Sequence, residues 1–385
     1  LYRPLDPKGS ARRSWHFKRG RCRFASTQHL AALPWMIQVD AAAMTLPTIA
    51  TAWARYCDAL DALAPGLLSR YAVAPLRDAD WLFGDVDGTL LQENGLADAV
   101  AELVGGEALA RTQRGAEEAR KAFLDAVWAA TKRATPPELQ PYYAILLADG
   151  DRMGAVIDHA RQHSTHQAIS AALAGFAEKV GDIVRERHGS LVYSGGDDVL
   201  ALLPVHTALD CVATLHDVFW GAMQGFRDER NESPTLSAGL VFAHQKTPLF
   251  ETLATVREAE KAAKAVKGAP GQPDKDALAF WVDKRSGERI EVTGRFAEVV
   301  DDLRQMTRLR RQGFIPGRAA YELDGLAALR IDPLPSEKPD DRRVRDAMTG
   351  VQADEIVRVL GRRRTEGGTG AMPESIRSAN GFPAP

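Results

Sequence analysis

Two adjacent aspartates near the middle of the chain carry the first chemical signal. The stretch LVYSGGDDVLALLP, residues 191–204, places Asp197 and Asp198 after two glycines and between two apolar segments. Neighbouring carboxylates repel each other, and burying either one is costly unless a partner neutralises its charge. The stretch therefore predicts either a solvated hairpin turn or a site where a divalent cation binds.

A second pair of acids follows an apolar segment earlier in the chain. The stretch YYAILLADGDRMG, residues 142–154, predicts a strand that ends at Asp149 and Asp151. Carboxylates suit Mg²⁺ or Mn²⁺, and two such ions can activate a hydroxyl nucleophile and stabilise charge on a phosphate. We predict that Asp149, Asp151, Asp197 and Asp198 bind two divalent ions and that the hairpin aspartates are catalytic. Asp151 has an alternative role as the cap of the following helix.

Residues able to hold phosphate oxygens flank these acids. The backbone N–H groups of Met153 and Gly154 lie at a predicted turn or helix start, where anions are favoured. Downstream, EAEKAAKAVKG, residues 258–268, offers lysines on or near one helix, of which we choose Lys264 to neutralise the terminal phosphate. The alternative for Lys264 is a solvated helix face.

The hairpin supplies three further candidates for nucleotide contact, namely Ser194, Gly195 and Gly196. The two glycines permit positive φ in the turn. Ser194 also has a simple structural interpretation, as a serine at the end of a strand.

The elements that must position these residues alternate in a regular order. Apolar segments bounded by turn residues predict strands, and apolar residues spaced three and four apart predict helices. The order β-α-β-β-α-β, followed by one more helix and strand, is that of a ferredoxin-like sheet in an α+β protein. The strands are predicted at 142–149, 190–194, 199–204, 236–243 and 277–282, and the helices at 166–187, 206–226 and 249–266. In this topology the first three strands are neighbours, so the acids can converge at one end.

Composition divides the chain into four parts. We predict a helical N-terminal region over 1–136, the ferredoxin-like domain over 137–288 and a small helical domain over 289–332. The tail over 333–385 has too little apolar content to fold alone. Because the chain begins at Leu1 with a basic, irregular segment, we expect it to be part of something longer.

A ferredoxin-like sheet with acids on its first strand and central hairpin is the palm of nucleotide polymerases and cyclases, including GGDEF-type diguanylate cyclases. The closer resemblance is to the large polymerase–cyclase subunit of type III CRISPR effector complexes, in its type III-B form. The stretches that resemble it, in order, are YAILLADGDRMGAVID, HQAISAALAGFA, GSLVYSGGDDVLALLPVHTAL, LSAGLVFAHQKTPLFETL and AEKAAKAVKG. The resemblance extends over residues 25–330 and is strongest over 142–268.

The resemblance implies synthesis of cyclic oligoadenylate from ATP when an effector complex binds target RNA, with Asp197 and Asp198 holding the ATP. It also implies other effector subunits, a guide RNA and a target RNA as partners. The family's amino-terminal HD nuclease, first palm and cysteine zinc site are not readable here. We therefore expect this chain to lack the amino-terminal half, in which case a cyclase that joins ATP across two palms would be incomplete.

Two other functions stay open. LFGDVDGTLL, residues 82–91, matches the nucleophile motif of haloacid-dehalogenase-type phosphatases, with Asp85 as nucleophile and Asp87 as acid/base. That motif needs a buried parallel strand before it, whereas the flanking sequence is more typical of helices. The second alternative is a scaffold subunit whose palm binds ATP without turnover.

Composition limits the partners and the cellular location that this protein can have. A formal net charge of −2 provides no global attraction to nucleic acid or to an anionic membrane. The three scattered cysteines form no zinc or disulfide pattern and suit a reducing compartment. No apolar run approaches the roughly 20 residues that span a bilayer. We therefore predict a cytoplasmic protein without a membrane partner.

Overall fold

The computed structural model describes residues 24–73, 81–131, 139–268 and 274–312. The predictions for the first residues of the chain and for the tail over 333–385 lie outside these ranges, as does part of the helical domain predicted over 289–332. Within the described ranges, no helix is both long and apolar enough to cross a membrane.

The N-terminal region is helical, as predicted. Its core contains packed aromatic rings: the Trp53 ring lies 4.8 Å from Phe83 and 5.2 Å from Phe123, and Tyr56 stacks on Phe123. Such pairs stabilise a core beyond the area that they bury. The helices are α1 (Thr27–Ala43), α2 (Pro47–Leu63), α3 (Leu67–Arg70), α4 (Glu93–Ala101) and α5 (Leu109–Ala130), with 3₁₀ turns at Gly88–Leu91 and Gly106–Ala108.

A six-stranded sheet follows, in the order β2-β3-β1-β4-β5-β6. Strand β1 lies between β3 and β4 and is antiparallel to both, which confirms the predicted α+β, ferredoxin-like arrangement. The strands are β1 (Tyr142–Gly150), β2 (Ser190–Gly195), β3 (Asp198–Leu203), β4 (Leu236–His244), β5 (Ala277–Asp283) and β6 (Arg289–Arg295). The helices are α6 (Met153–His159), α7 (His163–Glu186), α8 (Val205–Met223), α9 (Leu249–Lys264) and α10 (Phe296–Arg311).

The sixth strand, β6, shows that one predicted domain boundary is misplaced. Arg289–Arg295 pairs antiparallel with β5, so the sheet continues past residue 288, where the sequence predicted the start of a helical domain. Ile290 and Val292 alternate with polar residues, which is the period of a strand. Because β6 is an edge strand and largely exposed, its apolar content is low and the signal is weak.

Helix α10 lies within the range for which a small helical domain was predicted. The chain divides into two compact units, Leu1–Val299 and Val300–Pro385, and α10 spans the boundary between them.

Side chains of the sheet alternate between two faces, and helices cover each one. Helices α7 and α8 pack on the first face, where Phe176 and Phe219 meet edge to face at 5.2 Å. Helix α9 and the N-terminal helices share a core with the second face, which includes Tyr143 and Ile145 of β1. Because strand side chains alternate, the odd-numbered positions of β1 face α9.

The predicted hairpin is present between β2 and β3. Gly195 pairs with Asp198, which leaves Gly196 and Asp197 as a two-residue turn. Gly196 has a φ of +69°, the left-handed value that glycine supplies at the first position of a type II′ turn. Gly196 therefore serves the turn geometry, and the aspartates are placed at the second position of the turn and at its exit.

Helix α9 approaches the sheet closely at one glycine of β4. A Cβ on Gly239 would lie 2.6 Å from the backbone nitrogen of Glu260 and 2.8 Å from the carbonyl oxygen of Val256. Both atoms belong to the backbone of α9, which cannot rotate out of the way. The absence of a side chain at residue 239 therefore sets how near α9 lies to β4.

We predict that Gly239→Ala lowers the free energy of unfolding by about 1–3 kcal/mol, because the added methyl group overpacks this contact. Urea unfolding of the full chain measures the change. Gly175→Ala is the matched control, since residue 175 lies in α7 with open space around it. The control should be neutral or stabilise by about 0.5–1 kcal/mol. Equal unfolding midpoints for wild type and Gly239→Ala would contradict the close approach.

Candidate functional site

Asp149 lies at the end of β1 on the face that α9 covers. It pairs with Ser237 of β4, and its carboxylate forms an ion pair with the ammonium of Lys264. Lys264 Nζ also lies 2.9 Å from Glu260 Oε1, one helical turn earlier on α9. A lysine of α9 therefore lies between a carboxylate of the sheet and a carboxylate of its own helix.

Glu260 is the site residue that the sequence analysis missed. Burial raises its pKa, and the charges of Asp151 and Asp198 raise it further, so that three carboxylates influence one another here. The spacing of Glu260 and Lys264, four residues apart on a helix, could have indicated that both face the acids.

The pKa of Lys264 is lowered to about 8, first by burial and then by the charge of Lys275, although its carboxylate partners favour the charged form. The other two lysines of the stretch EAEKAAKAVKG differ from Lys264. Lys267 is exposed and pairs with Asp274 at 3.2 Å, and Lys261 is exposed. The choice of Lys264 thus agrees with the geometry.

Asp151 is fully buried beneath this cluster. Its Oδ2 accepts hydrogen bonds from Thr235 Oγ1 at 2.8 Å, Ser237 Oγ at 2.7 Å and the backbone N–H of Asp276 at 3.2 Å. Burial raises its pKa, and these hydrogen bonds oppose the rise. Asp151 therefore joins the end of β1 to β4 and to the residue before β5, next to the site.

The alternative role of Asp151 as a helix cap is wrong. Arg152 is the N-cap of α6, in a left-handed conformation, and no side chain caps that helix. The donors around Asp151 come from strand β4, from the residue before it and from the residue before β5, so the side chain joins strands instead.

The hairpin brings Asp197 to the end of β1. A Cβ on Gly150 would lie 2.8 Å from Cβ and Oδ2 of Asp197, which shows how closely the aspartate packs on the β1 backbone. Burial raises the pKa of Asp197, and the neighbouring Asp198 raises it further. The hairpin acid and the acids of β1 therefore lie at the same end of the sheet, as predicted.

Asp198 is exposed at the start of β3. Its neighbour Val199 pairs with Ala148, whose side chain lies on the face away from α9. Because side chains alternate, Asp198 lies on the same face as Asp149 and Glu260.

The predicted nucleotide contacts are only partly brought together. Gly195 ends β2 and Gly196 lies in the turn beside the aspartates, while Met153 and Gly154 begin the short helix α6. Ser194, in contrast, is in register with Val199, so its side chain lies on the opposite face from Asp149.

The phosphatase-like motif has a structural role. Asp87 is buried at the N-cap of a 3₁₀ turn, where its Oδ1 accepts from the N–H of Thr89 at 2.8 Å and from Ser26 Oγ at 3.0 Å. The neighbouring Val86 makes an isolated antiparallel bridge to Ala72, and no strand of the described residues precedes the motif. The buried parallel strand that phosphatase chemistry requires is thus missing from the described part of the chain.

The donor set fits a hard divalent cation in chemistry and in charge. Five carboxylates lie at or near one end of the sheet, those of Asp149, Asp151, Asp197, Asp198 and Glu260. The Lys264 ammonium already occupies a cationic position between two of them. Among the described residues, however, no three His, Cys, Asp or Glu side chains stand close enough to hold a metal ion as they are. Mg²⁺ is often held by one or two carboxylates together with substrate phosphates, so a substrate-assisted site remains compatible.

Comparisons with solved structures agree with this architecture. A chain of the cryo-EM structure of the type III-B Cmr-beta bound to cognate target RNA matches with a TM-score of 0.50 and 13% identity, over 91% of this chain and 44% of that chain. A chain of the apo type III-B Cmr-beta matches with a TM-score of 0.42 and 16% identity, over 62% of this chain and 35% of that chain. At these identities the first match supports the fold alone.

Comparisons of sequence are more specific. The CRISPR system Cmr subunit Cmr2 of Pyrococcus furiosus is 36% identical over 198 residues, which make up 44% of this chain and 22% of the relative. This chain therefore matches less than a quarter of that relative's length. Residues 142–279 match the family model described as Cas10/Cmr2, second palm domain. The resemblance inferred from the motifs is confirmed as a similarity: residues 142–279 match the second palm domain of the Cas10/Cmr2 family.

Proposed function

We propose that this chain is the part of a type III CRISPR effector subunit that binds ATP and divalent ions and synthesises cyclic oligoadenylate. One observation carries the proposal. Asp149 of β1 pairs with a lysine of α9, and Asp197 of the hairpin packs on the β1 backbone, at one end of a sheet whose residues match a second palm domain. Carboxylates beside an ammonium suit a metal-bound triphosphate.

The proposed reaction joins one ATP to another. The 3′-hydroxyl oxygen of the first ATP attacks the α-phosphorus of the second, and its proton passes to water. The bond from that phosphorus to the oxygen bridging to the β-phosphate breaks, and pyrophosphate leaves. Repetition and a final ring closure release one pyrophosphate per ATP, with no change of oxidation state. Divalent ions, when bound, activate the hydroxyl and stabilise the charge on the phosphate.

The residues divide into two roles. Asp149, Asp197 and Asp198 would hold the ions, with Glu260 beside them as a further oxygen donor. Lys264 would leave its carboxylate partners and pair with the triphosphate, because both the ions and the phosphates compete for the same charges. Asp151 would keep the end of β1 in place from beneath.

The proposed setting is an effector complex. The Pyrococcus furiosus relative is named a subunit of a CRISPR Cmr system, and the solved structure with a TM-score of 0.50 is of a Cmr-beta bound to target RNA. We extend these partners to the present chain: other effector subunits, a guide RNA and a target RNA. The proposed location is the cytoplasm, where such complexes would meet RNA.

A second candidate is an ATP-binding scaffold without turnover. It is favoured by the ion pairs that hold Lys264 between Asp149 and Glu260, and by the absence of three converging ligands among the described residues. Such a site could hold a nucleotide and lack the ion geometry needed for transfer. Binding and turnover therefore have to be measured separately.

The metal assignment is tested by the double substitution Asp197→Ala with Asp198→Ala. We expect affinity for ATP with Mg²⁺ or Mn²⁺ to fall by at least about a hundredfold, because two charged interactions are lost. Calorimetry measures binding, and thermal unfolding checks that the fold persists. Asp182→Ala with Glu186→Ala removes the same charge from exposed positions of α7 and should leave binding unchanged.

If the double variant binds ATP with the divalent ion as tightly as wild type does, the assignment of Asp197 and Asp198 to the site is wrong. Asp85→Asn addresses the phosphatase alternative in the same preparation, since it should leave nucleotide binding and turnover as they are. A phosphatase activity that disappears in Asp85→Asn would instead favour the dehalogenase-type reaction.

The requirement for two nucleotides gives a kinetic prediction. Donor and acceptor ATP must be held together for in-line attack, and the described residues contain one palm. We expect the purified chain to bind ATP and make little cyclic product, and synthesis to rise when effector partners with guide and target RNA are added. If copies of the chain pair with each other, the rate should rise more steeply than linearly with protein concentration. Robust synthesis that is linear in protein and needs no partner would refute this expectation.

A further inference from the structure

Two consecutive residues beside the site have an unusual backbone. Lys275 and Asp276, just before β5, have φ values of +68° and +50°. Residues with a Cβ uncommonly adopt this left-handed conformation; aspartate tolerates it better than most, whereas lysine at residue 275 is strained by it. Strained residues persist only where surrounding contacts over-determine them, and they often lie at functional sites.

All four backbone polar groups of this pair are hydrogen-bonded. The N–H of Lys275 donates to the carbonyl of Val266 at 2.8 Å, and its own carbonyl accepts from Arg295 Nη1 at 2.6 Å. The N–H of Asp276 donates to Asp151 Oδ2 at 3.2 Å, and its carbonyl accepts from the N–H of Phe296 at 2.9 Å. The turn is thus attached to the end of α9, to β6 and α10, and to the acid beneath the site.

The side chain of Asp276 is clamped as well. His216 Nε2 lies 2.7 Å from Asp276 Oδ1, and Arg295 Nη2 donates to Oδ2 at 3.0 Å. The His216 ring stacks on Phe296 with centroids 3.9 Å apart, which fixes its orientation. Two separate elements, α8 and β6, therefore hold this carboxylate, and through it the backbone of the preceding lysine.

The ammonium of Lys275 is held far less tightly than the rest of the turn. It lies 3.9 Å from Asp151 Oδ1, which is longer than a hydrogen bond, and its side chain is 32% exposed. Its charge also lowers the pKa of Lys264 and of Glu260. The scaffold thus fixes the backbone and leaves a cation directed at the acid cluster.

We infer that Lys275 is a second phosphate-binding lysine of this site and that Asp276, clamped by His216 and Arg295, is its positioning residue. The ligand is a triphosphate carried with a divalent ion. Lys264 is engaged by two carboxylates, so a second ammonium supplies charge that Lys264 alone does not. The inference rests on the proposed nucleotide binding and deepens it.

A purely structural role for Lys275, as counter-ion to the buried Asp151, predicts different behaviour. In that case removing the ammonium would lower the free energy of unfolding. It would either reduce the affinity for every ligand by the same factor or leave all the affinities unchanged. Phosphate binding instead predicts that the loss depends on the number of phosphates. Comparing ligands that share adenosine and differ in phosphates separates the two roles.

The experiment measures binding to the full chain by calorimetry with three probes, each with Mg²⁺: a non-hydrolysable ATP analogue, inorganic triphosphate and AMP. Lys275→Ala keeps the Cβ and thus the backbone strain, and removes the ammonium. We expect at least about a tenfold loss for ATP analogue and triphosphate, and a change within about threefold for AMP. Lys275→Arg should restore most of the loss.

Two further variants complete the design. Asp276→Asn has the same shape, tolerates the left-handed conformation and weakens the clamp, so it should lose triphosphate affinity by a smaller factor with AMP unchanged. Lys246→Ala removes one exposed ammonium beyond the far end of β4 and should bind all three probes like wild type.

The outcomes separate this inference from the function on which it rests. If Lys275→Ala binds the ATP analogue and triphosphate like wild type, while Asp197→Ala with Asp198→Ala does not, the inference is wrong and the proposed function stands. An equal loss for all three probes assigns Lys275 to support of Asp151 and also overturns the inference. If wild type binds neither the ATP analogue nor triphosphate, both fail.

Discussion

The close approach of α9 to the sheet at Gly239 is the constraint on which the site depends. Because no side chain separates the two backbones there, Glu260 and Lys264 come within reach of the end of β1. Asp149 of β1 faces the helix, and the hairpin adds its carboxylates from the neighbouring strand.

Charge balance explains the arrangement of the acids. A buried carboxylate needs compensation, and the chain provides it in two layers. Below, hydrogen-bond donors from β4 and from the residue before β5 surround Asp151. Above, the Lys264 ammonium compensates Asp149 and Glu260. The upper layer uses side chains that can exchange partners, whereas the lower layer is fixed by the strands, and this division suits a site that must accept a charged ligand.

Much of the fold was predictable from the sequence because its strands are apolar and its helices amphipathic. The ferredoxin-like order, the hairpin and the site lysine at residue 264 all followed from periodicity, glycine placement or family resemblance. The edge strand β6 was not predicted, since exposure removes the apolar signal that marks a strand. Asp151 is buried and the Ser194 side chain lies on the face opposite to Asp149 because of the register in which the strands pair. Predicting which segments are strands does not predict that register. The left-handed conformation of Lys275 has no sequence signal, because lysine does not favour it, although aspartate at residue 276 tolerates it.

The hydrogen bond from Asp276 to Asp151 has a consequence for how the chain folds. These residues are 125 positions apart, and the site also draws on the hairpin and α9 between them. Such long-range contacts form slowly, because the loops between them must close before any contact is gained. A partly folded chain with helices and the local hairpin in place would still have no complete site. A ligand that needs the whole site would consequently bind the native state alone and stabilise it by mass action.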